Sequence, residues 1–216
     1  MPARAKEGTA SGAPLHLFLA SSNVGKLKEF RALAASTTAG VLVELQLLPN
    51  FSELPAFEES APSFGENAAG KALHYSRFTE APVMADDSGL VVDALGGEPG
   101  VRSARYAGPK ATPEERIRKL LAEMKARGAK DLRARFVCVI ALALAGRVVA
   151  VFSDAVEGEI LESVRGREGF GYDPVFFFSP AGKTFAEMAA EEKNRYSHRA
   201  KAFRKLADFL ACTPVL

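Results

Sequence analysis

Two adjacent carboxylates, Asp86 and Asp87, follow an apolar run and precede Ser88-Gly89. Neighbouring like charges cost free energy unless a cation or a shared proton relieves them. The run 81–85 predicts a short buried strand, and Ser88-Gly89 predicts the turn that ends it. Such a turn would direct both carboxylates out of a sheet edge, where a divalent metal can bind. A solvated Asp-Asp turn is the alternative interpretation of this pair alone.

A second acidic pair, Glu58-Glu59, precedes a predicted helix that begins near Ser63. If it meets the Asp86-Asp87 pair, three or four carboxylates converge, which suits Mg²⁺ with phosphate oxygens completing its shell. When the pair Glu58-Glu59 is taken alone, a solvated acidic loop is the better explanation.

A polar turn of six residues connects a predicted strand to a predicted helix: Ser21, Ser22, Asn23, Val24, Gly25 and Lys26. Backbone N–H groups at a helix start, together with one lysine, form an anion site. The turn is not a P-loop, because Leu27 stands where that motif needs Ser or Thr. An ordinary capped helix start is the alternative.

A fourth polar cluster combines aromatic and cationic residues: Phe170, Gly171, Tyr172 and Asp173, followed by Lys193, His198 and Arg199. Two aromatic rings on glycine-flanked backbone suit stacking on a flat base, although both rings could equally be core residues and the cations a solvated helix start. Together the four clusters supply an anion-binding site, a metal site, an aromatic platform for stacking and cationic donors. A nucleoside triphosphate requires that combination.

The elements that must position these residues alternate between strand and helix. Periodicity and capping signals predict strands over 15–20, 41–48, 81–85, 132–144, 147–159 and 174–178, and helices that begin near Lys26, Ser63, Thr112, Thr184 and Ser197. The Ser63 helix is expected to run to about residue 78. This alternation predicts an α/β class with a mixed, twisted central sheet flanked by helices. We expect one domain over residues 15–216, preceded by a disordered leader over residues 1–14.

Composition excludes several classes of protein. The chain has 216 residues, 48% hydrophobic and 25% charged, with a formal net charge of +2, so bulk charge gives no argument for nucleic-acid or membrane partners. No apolar stretch is long enough to span a bilayer, and the first residues lack the apolar core of a signal peptide. Cys138 and Cys212 are far apart, which argues against a disulfide framework. These features predict a cytoplasmic protein.

From Leu17 to Leu210 the chain resembles the inosine triphosphate pyrophosphatase family, whose members hydrolyse noncanonical purine nucleoside triphosphates. The resemblance rests on ordered motifs: SSNVGK, EESAPSFGENAAGKA, ADDSGLVVDALGGEPGVRSARYAG, GFGYDPVFF and EEKNRYSHR. It implies a mixed-sheet fold with a cleft between two lobes, a homodimer, dependence on Mg²⁺, and hydrolysis of ITP, dITP and XTP to the monophosphate and pyrophosphate.

The resemblance also implies residue roles. Asp87 matches the proton acceptor and metal ligand with Asp86 beside it, Glu58 or Glu59 matches the second metal ligand, and Lys26 matches a phosphate-binding catalytic cation. The positions that match substrate contacts are Ser21 to Lys26, Ser88, Phe170 to Asp173, Lys193, His198 and Arg199. One departure is Ser60-Ala61-Pro62, where the family commonly has a Gly that tolerates positive φ, so a different local loop is expected.

The implied chemistry also predicts selectivity. Cationic donors from His198, Arg199 or Lys193 would pair with O6 of hypoxanthine or xanthine and would oppose the amino group of adenine. The rival enzyme is a Maf-like pyrophosphatase that acts on dTTP or UTP. Two rival classes are not enzymes: a nucleotide- or RNA-binding module without catalysis, and a purely structural protein.

Overall fold

The computed structural model describes residues 14–37 and 41–213. Of the predicted leader only Pro14 falls within them, so that prediction and the single-domain prediction stay predictions. Within the described residues no helix combines the length and apolar character needed to cross a membrane.

Seven strands form one mixed sheet in the order β2-β1-β3-β4-β5-β6-β7. β1 pairs in parallel with β2 and β3, whereas every later pairing is antiparallel. The strands are β1 (Leu15–Leu19), β2 (Val43–Leu47), β3 (Val83–Val92), β4 (Arg133–Leu144), β5 (Arg147–Ile160), β6 (Phe176–Phe178) and β7 (Lys183–Thr184). The mixed sheet and its flanking helices confirm the predicted class, while the division into two lobes stays a prediction.

The helices begin close to their predicted caps. They are α1 (Val24–Ser36), α2 (Phe64–Tyr75), α3 (Pro113–Ala126), α4 (Ala190–Tyr196) and α5 (His198–Cys212). The side chains of Asn23, Ser63, Thr112 and Ser197 accept hydrogen bonds at the starts of α1, α2, α3 and α5. Beyond α2, residues 76–78 form a 3₁₀ turn instead of continuing the predicted α-helix.

Helices cover both faces of the sheet. On one face Phe30 of α1 and Phe203 of α5 pack with Met84 of β3. On the other face Ala68 and Ala72 of α2 pack with neighbouring residues of β3, such as Ala85. Because side chains alternate along a strand, consecutive residues of β3 face different helices.

The sequence predicts a short strand over 81–85 and a turn at Ser88-Gly89 that ends it. This prediction is wrong. β3 runs without interruption from Val83 to Val92 and pairs along its whole length with β4. Asp86 and Asp87 therefore lie in the middle of a buried strand. Such a strand needs partners for its charges from elsewhere in the chain, and the local sequence does not reveal those partners.

The prediction of a helix from Thr184 is also wrong. Thr184 and Glu187 do form a capping box, but it closes a single 3₁₀ turn over Phe185–Glu187. Met188 then adopts extended backbone, and α4 begins only at Ala190. The hairpin of β4 and β5 is confirmed, with its two-residue turn at Ala145 (φ 48°) and Gly146 (φ 72°).

Candidate active site

A cavity of about 660 Å³ opens beyond the end of β1 and beside the middle of β3. It brings together most of the predicted site residues: Ser21, Ser22, Asn23, Gly25, Lys26, Glu59, Asp87, Ser88, Phe170, Gly171, Tyr172, Asp173, Lys193, His198 and Arg199. Val24 and Glu58 are exposed and do not line it, and Asp86 is fully buried behind its wall.

The turn after β1 is held in one conformation by its own side chains. Ser21 Oγ accepts a hydrogen bond from the Asn23 N–H at 3.1 Å, and Asn23 Oδ1 accepts one from the Lys26 N–H at 3.1 Å. A Cβ at Gly25 would lie 3.4 Å from the Phe170 ring, so the glycine allows the turn to approach that ring closely. The start of α1 and the aromatic loop therefore form adjoining walls.

Asp86 faces α1 and α5, and serves as a buried counter-ion. Its Oδ2 lies 2.8 Å from Lys26 Nζ and accepts a hydrogen bond from Ser88 Oγ at 3.1 Å. Burial raises its pKa, but the neighbouring charges of Lys26 and Arg199 outweigh burial and hold the pKa of Asp86 at about 2. This carboxylate stays ionised and fixes Lys26 beside the turn.

Asp87 faces the opposite side of the sheet, toward α2. Asn67 Nδ2 donates a hydrogen bond to its Oδ2 at 2.9 Å. Burial raises the pKa of Asp87 to about 6, and the negative charge of Glu59 adds to the rise. The two aspartates thus differ in face, partners and proton affinity, although they are neighbours in sequence.

Glu59 lies on the loop before α2, and Lys71 of α2 binds its carboxylate. Lys71 Nζ also donates to the Asp86 backbone carbonyl at 2.8 Å. Burial lowers the pKa of Lys71, but the negative charges of Asp86 and Glu59 outweigh it and raise that pKa. A permanent cation therefore lies between the Glu59 loop and β3.

Asn67 also fixes the loop where the sequence departs from the family pattern. Its Oδ1 accepts from the Ala61 N–H at 3.0 Å while its Nδ2 contacts the Ala61 carbonyl at 3.4 Å. None of Ser60, Ala61 and Pro62 has a positive φ, so the loop needs no glycine there. One buried amide thus connects the Glu59 loop to Asp87.

The predicted convergence of three or four carboxylates is wrong. Among residues 14–37 and 41–213 no group of three His, Cys, Asp or Glu side chains is placed to hold one metal ion. Asp87 and Glu59 share the cavity, while Asp86 faces away and Glu58 is exposed. Two carboxylates still suit Mg²⁺, which binds through one or two carboxylates together with substrate phosphates.

The far end of the cavity is built around Phe170. Asp173 Oδ2 accepts from the Phe170 N–H at 2.8 Å and from Lys193 Nζ at 2.7 Å. Lys193 Nζ lies 4.9 Å and Arg199 Cζ 5.4 Å from the centroid of the Phe170 ring. Two cations therefore lie within cation–π distance of the Phe170 ring.

Glu29 of α1 neutralises the two cations at this end. It pairs with Lys193 at 2.8 Å and with Arg199. Burial raises its pKa, but the charges of Arg199 and Lys193 outweigh burial and lower it. Arg199 also donates from Nη2 to Ser88 Oγ at 3.0 Å, so it connects this end of the cavity to β3.

His198 is not one of the predicted cationic donors. Its ring is buried and stacks on Phe136 at 4.8 Å with an interplanar angle of 13°. Burial lowers the pKa of His198 well below its usual value, and the charges of Arg199 and Lys193 lower it further. At neutral pH the imidazole is therefore uncharged. Lys193 and Arg199 remain the cations at this end.

Tyr172 differs from Phe170 in its surroundings. It is 4% exposed, belongs to the hydrophobic core and donates from its hydroxyl to the Ser103 carbonyl at 2.9 Å. Phe170 is only half-buried. The aromatic platform therefore consists of Phe170, whereas Tyr172 anchors the loop.

Sequence reasoning missed three polar residues of the site: Glu29, Asn67 and Lys71. Asn67 and Lys71 lie on the apolar face of α2, in phase with Ala68, Ala72 and Tyr75. A polar residue on the buried face of a helix is a usable sign of function. Glu29 lies one turn after Lys26 on α1, but its partners are about 170 residues away in sequence and give no local signal.

Comparison with known proteins identifies the family of this chain. The family model described as the Ham1 family matches residues 17–209. A curated relative from Geobacillus kaustophilus, named dITP/XTP pyrophosphatase, is 49% identical over 88% of this chain and 91% of its own length. A second with that name, from Thermus thermophilus, is 46% identical over 90% of this chain and 91% of its own.

Solved structures give the same result. The structure titled as a HAM1 protein from Coxiella burnetii matches with a TM-score of 0.81 at 40% identity, covering 92% of this chain and all of that one. The Staphylococcus aureus Ham1 protein matches with a TM-score of 0.78 at 37% identity, covering 90% of this chain and 97% of that one. Sequence, fold and the residues of the cavity agree, and this chain belongs to the Ham1 family.

Proposed function

We propose that this protein is a cytoplasmic pyrophosphatase that hydrolyses noncanonical purine nucleoside triphosphates such as dITP, XTP and ITP. The observation that carries the proposal is one cavity that joins an anion-binding helix start to a raised-pKa carboxylate, Asp87, with Glu59 nearby. The names of the relatives, dITP/XTP pyrophosphatase, support the same reaction and substrate class.

The phosphates are best placed at the turn after β1. The backbone N–H groups at the start of α1 and the Lys26 ammonium offer donors to phosphate oxygens. Asp86 remains ionised and holds the Lys26 ammonium group beside the turn. The turn would therefore bind the pyrophosphate portion and stabilise the charge that develops on it as it leaves.

The donor set fits Mg²⁺. Asp87 and Glu59 supply hard oxygen ligands. Burial and, to a smaller extent, the negative charge of Glu59 raise the pKa of Asp87, and a bound cation would stabilise the ionised carboxylate. Mg²⁺ bound by these two residues would supply charge neutralisation for the phosphates. Of the acidic pair before α2 we assign this role to Glu59, because Glu58 is exposed.

Asp87 is the residue best suited to accept the proton of the attacking water. In the metal-free protein the pKa of Asp87 is about 6, so its carboxylate is ionised at neutral pH and available as a base. The water oxygen forms a bond to the α-phosphorus as the bond to the bridging oxygen of pyrophosphate breaks. Asn67 holds one carboxylate oxygen, which fixes the orientation of the base.

The purine is best placed beside Phe170, where Arg199 and Lys193 line the cavity. Both side chains carry only hydrogen-bond donors, so they match the O6 acceptor of hypoxanthine or xanthine and oppose the amino group of adenine. An unmatched buried donor costs about 1–3 kcal/mol, or about tenfold to a hundredfold in rate. The neutral His198 imidazole lines the same part of the cavity, and it can accept a hydrogen bond as well as donate one.

Pyrophosphate release from ITP, with and without Mg²⁺, tests the proposal. We expect Mg²⁺-dependent release of pyrophosphate and not of phosphate. In a panel of ITP, XTP, GTP, ATP, dTTP and UTP we expect ITP and XTP to turn over fastest. Equal turnover of ATP would refute the base selectivity, faster turnover of dTTP or UTP would favour a Maf-like enzyme, and nucleotide binding without hydrolysis would refute catalysis.

We further propose that the protein is a homodimer that associates through β5. This strand pairs with β6 only at Glu159 and Ile160, so within the described residues its edge over 147–158 has no partner strand. Val148, Val149 and Val151 are exposed on the same strand, at 40%, 39% and 48%. Farther along the strand Lys205 and Lys201 donate to the Ser153 and Ala155 carbonyls. The exposed apolar stretch near 148–151 favours pairing with another strand, and a second copy supplies one related by a two-fold axis.

A further inference from the structure

The 3₁₀ turn Gly100–Arg105 is packed directly onto the strand that carries Asp87. A Cβ on Gly89 would lie 2.5 Å from both the Gly100 carbonyl oxygen and Ser103 Oγ, so only glycine allows this approach. Ser103 Oγ accepts from the Leu90 N–H at 2.9 Å. The turn is therefore fixed relative to β3 within three residues of Asp87.

Arg105, the last residue of this turn, reaches from there to the Glu59 loop. Its Nη2 donates to the Glu59 backbone carbonyl at 2.6 Å across 46 residues of sequence. Arg105 is half-buried and does not line the cavity, so it has no direct route to a bound nucleotide. Its contact is to the backbone of the residue whose carboxylate shares the cavity with Asp87.

Other contacts hold the Glu59 loop on either side of Glu59, and Lys71 binds the Glu59 carboxylate but not its backbone. Tyr75 accepts from the Phe57 N–H at 3.2 Å, and Asn67 accepts from the Ala61 N–H at 3.0 Å. Both partners belong to α2, whereas Arg105 is anchored on β3. Asn67 and Lys71 also connect this loop to β3, through Asp87 and the Asp86 carbonyl. Arg105 adds the contact to the Glu59 backbone carbonyl itself, from the turn that is packed on β3.

We propose that Arg105 is a positioning residue that fixes Glu59 relative to Asp87 and so sets the metal affinity of the site. The inference rests on the proposed function, since it takes Glu59 and Asp87 as the metal-binding pair. A charge-assisted hydrogen bond is stronger than a neutral one, which suits a guanidinium for this task. Loss of a group that orients a metal ligand typically weakens metal binding about 10- to 100-fold.

Binding of Mn²⁺ to the substrate-free protein, measured by electron paramagnetic resonance, tests this role without relying on turnover. We expect Arg105→Ala to weaken Mn²⁺ binding about tenfold, and Arg105→Lys to recover part of the loss because it retains one charged donor. The matched control is Arg102→Ala on the same turn, whose exposed guanidinium pairs with Glu98. It should bind Mn²⁺ like the wild type.

A folded Arg105→Ala that binds Mn²⁺ within about twofold of the wild type would overturn the inference, even if its melting temperature falls. If Arg105→Ala does not fold, Arg105→Gln replaces it under the same criterion. Failure of the proposed metal site has a different signature. In that case the wild type does not bind Mn²⁺, or Asp87→Asn binds it as tightly as the wild type.

Discussion

At the scale of single residues, the site depends on two aspartates that are adjacent in sequence and opposite in behaviour. The pKa of Asp86 is held at about 2 by buried cations, while burial raises that of Asp87 to about 6. One acts as a permanent charge and the other is able to exchange a proton near neutral pH. The resemblance implies a division of roles, with Asp87 as proton acceptor and metal ligand and Asp86 beside it. The sequence does not give the electrostatic basis of that division, because the partners Lys26, Arg199 and Asn67 come from α1, α5 and α2.

Asp87→Asn is predicted to abolish turnover and to stabilise the metal-free protein above pH 6. A carboxyl group whose pKa is raised on folding destabilises the native state above the folded pKa, and the penalty disappears as pH falls to the unfolded pKa. A rise from 3.8 to about 6 corresponds to about 3 kcal/mol at most. Melting temperatures in EDTA from pH 4 to pH 8 should show a gain that grows with pH. A pH-independent difference would contradict this account.

Asp86→Asn is the matched control for that measurement. Its expected change in melting temperature has the opposite sign. The folded pKa of Asp86 lies below its unfolded value, so its stabilising effect is present above the unfolded pKa and is lost as pH falls toward 2. Removing the charge leaves Lys26 and Arg199 short of a counter-ion, which costs about 3–5 kcal/mol. We expect a lower melting temperature at neutral pH, and a variant as stable as the wild type would contradict the role of counter-ion.

Protons and Mg²⁺ are predicted to compete for Asp87. Only the ionised carboxylate binds a cation, and in the metal-free protein its pKa is about 6. The Mg²⁺ concentration that gives half-maximal pyrophosphate release should therefore rise as pH falls below 6 and stay constant above pH 7. A constant value down to pH 5 would show that Asp87 is not the ligand that titrates.

At the scale of elements, the close contact of β3 with the Gly100–Arg105 turn is predicted to tolerate no side chain at position 89. Gly89→Ala would place its Cβ 2.5 Å from the Gly100 carbonyl oxygen, which is backbone and cannot rotate away. Overpacking of this kind costs about 1–3 kcal/mol. The free energy of unfolding in urea measures it.

Gly65→Ala is the matched control for Gly89→Ala. A Cβ at Gly65 of α2 would have Ser63 Oγ as its nearest atom, at 3.9 Å. Alanine is favoured over glycine in a helix by up to about 1 kcal/mol, so this variant should equal or exceed the wild type in stability. Equal losses in both variants would argue against a specific clash at position 89.

Elements with a local signal can be predicted from the sequence, and those that depend on distant contacts cannot. The caps at Ser63 and Thr112 and the hairpin at Ala145-Gly146 are encoded within a few residues, and the structure confirms all three. The continuation of β3 through Asp86 and Asp87 has no such signal, because an isolated strand with two buried charges is unfavourable. Its stability comes from side chains on three helices far away in sequence.

At the scale of the whole molecule, the proposed dimer through β5 gives a prediction about assembly. Val151→Glu should convert a dimer into a monomer in size-exclusion chromatography with light scattering. The substitution puts a charge on the exposed apolar strand, and the two-fold axis brings two such charges together. Val164→Glu, at a residue 61% exposed outside β5, should leave the dimer intact. A wild-type protein that is monomeric at micromolar concentration would refute the proposal.

The alternation of Asp86 and Asp87 across β3 also has a consequence for folding fidelity. A slip of β3 by one residue against its neighbours would turn Ala85 or Asp87 toward Lys26 and Arg199, and would change the partner of Asn67 as well. In the slip that presents Ala85, Lys26 loses its carboxylate partner and Arg199 keeps only Glu29, which costs up to about 3–5 kcal/mol in addition to the misplaced apolar residues. The acidic pair proposed to serve catalysis therefore also disfavours this misregistered alignment of the sheet.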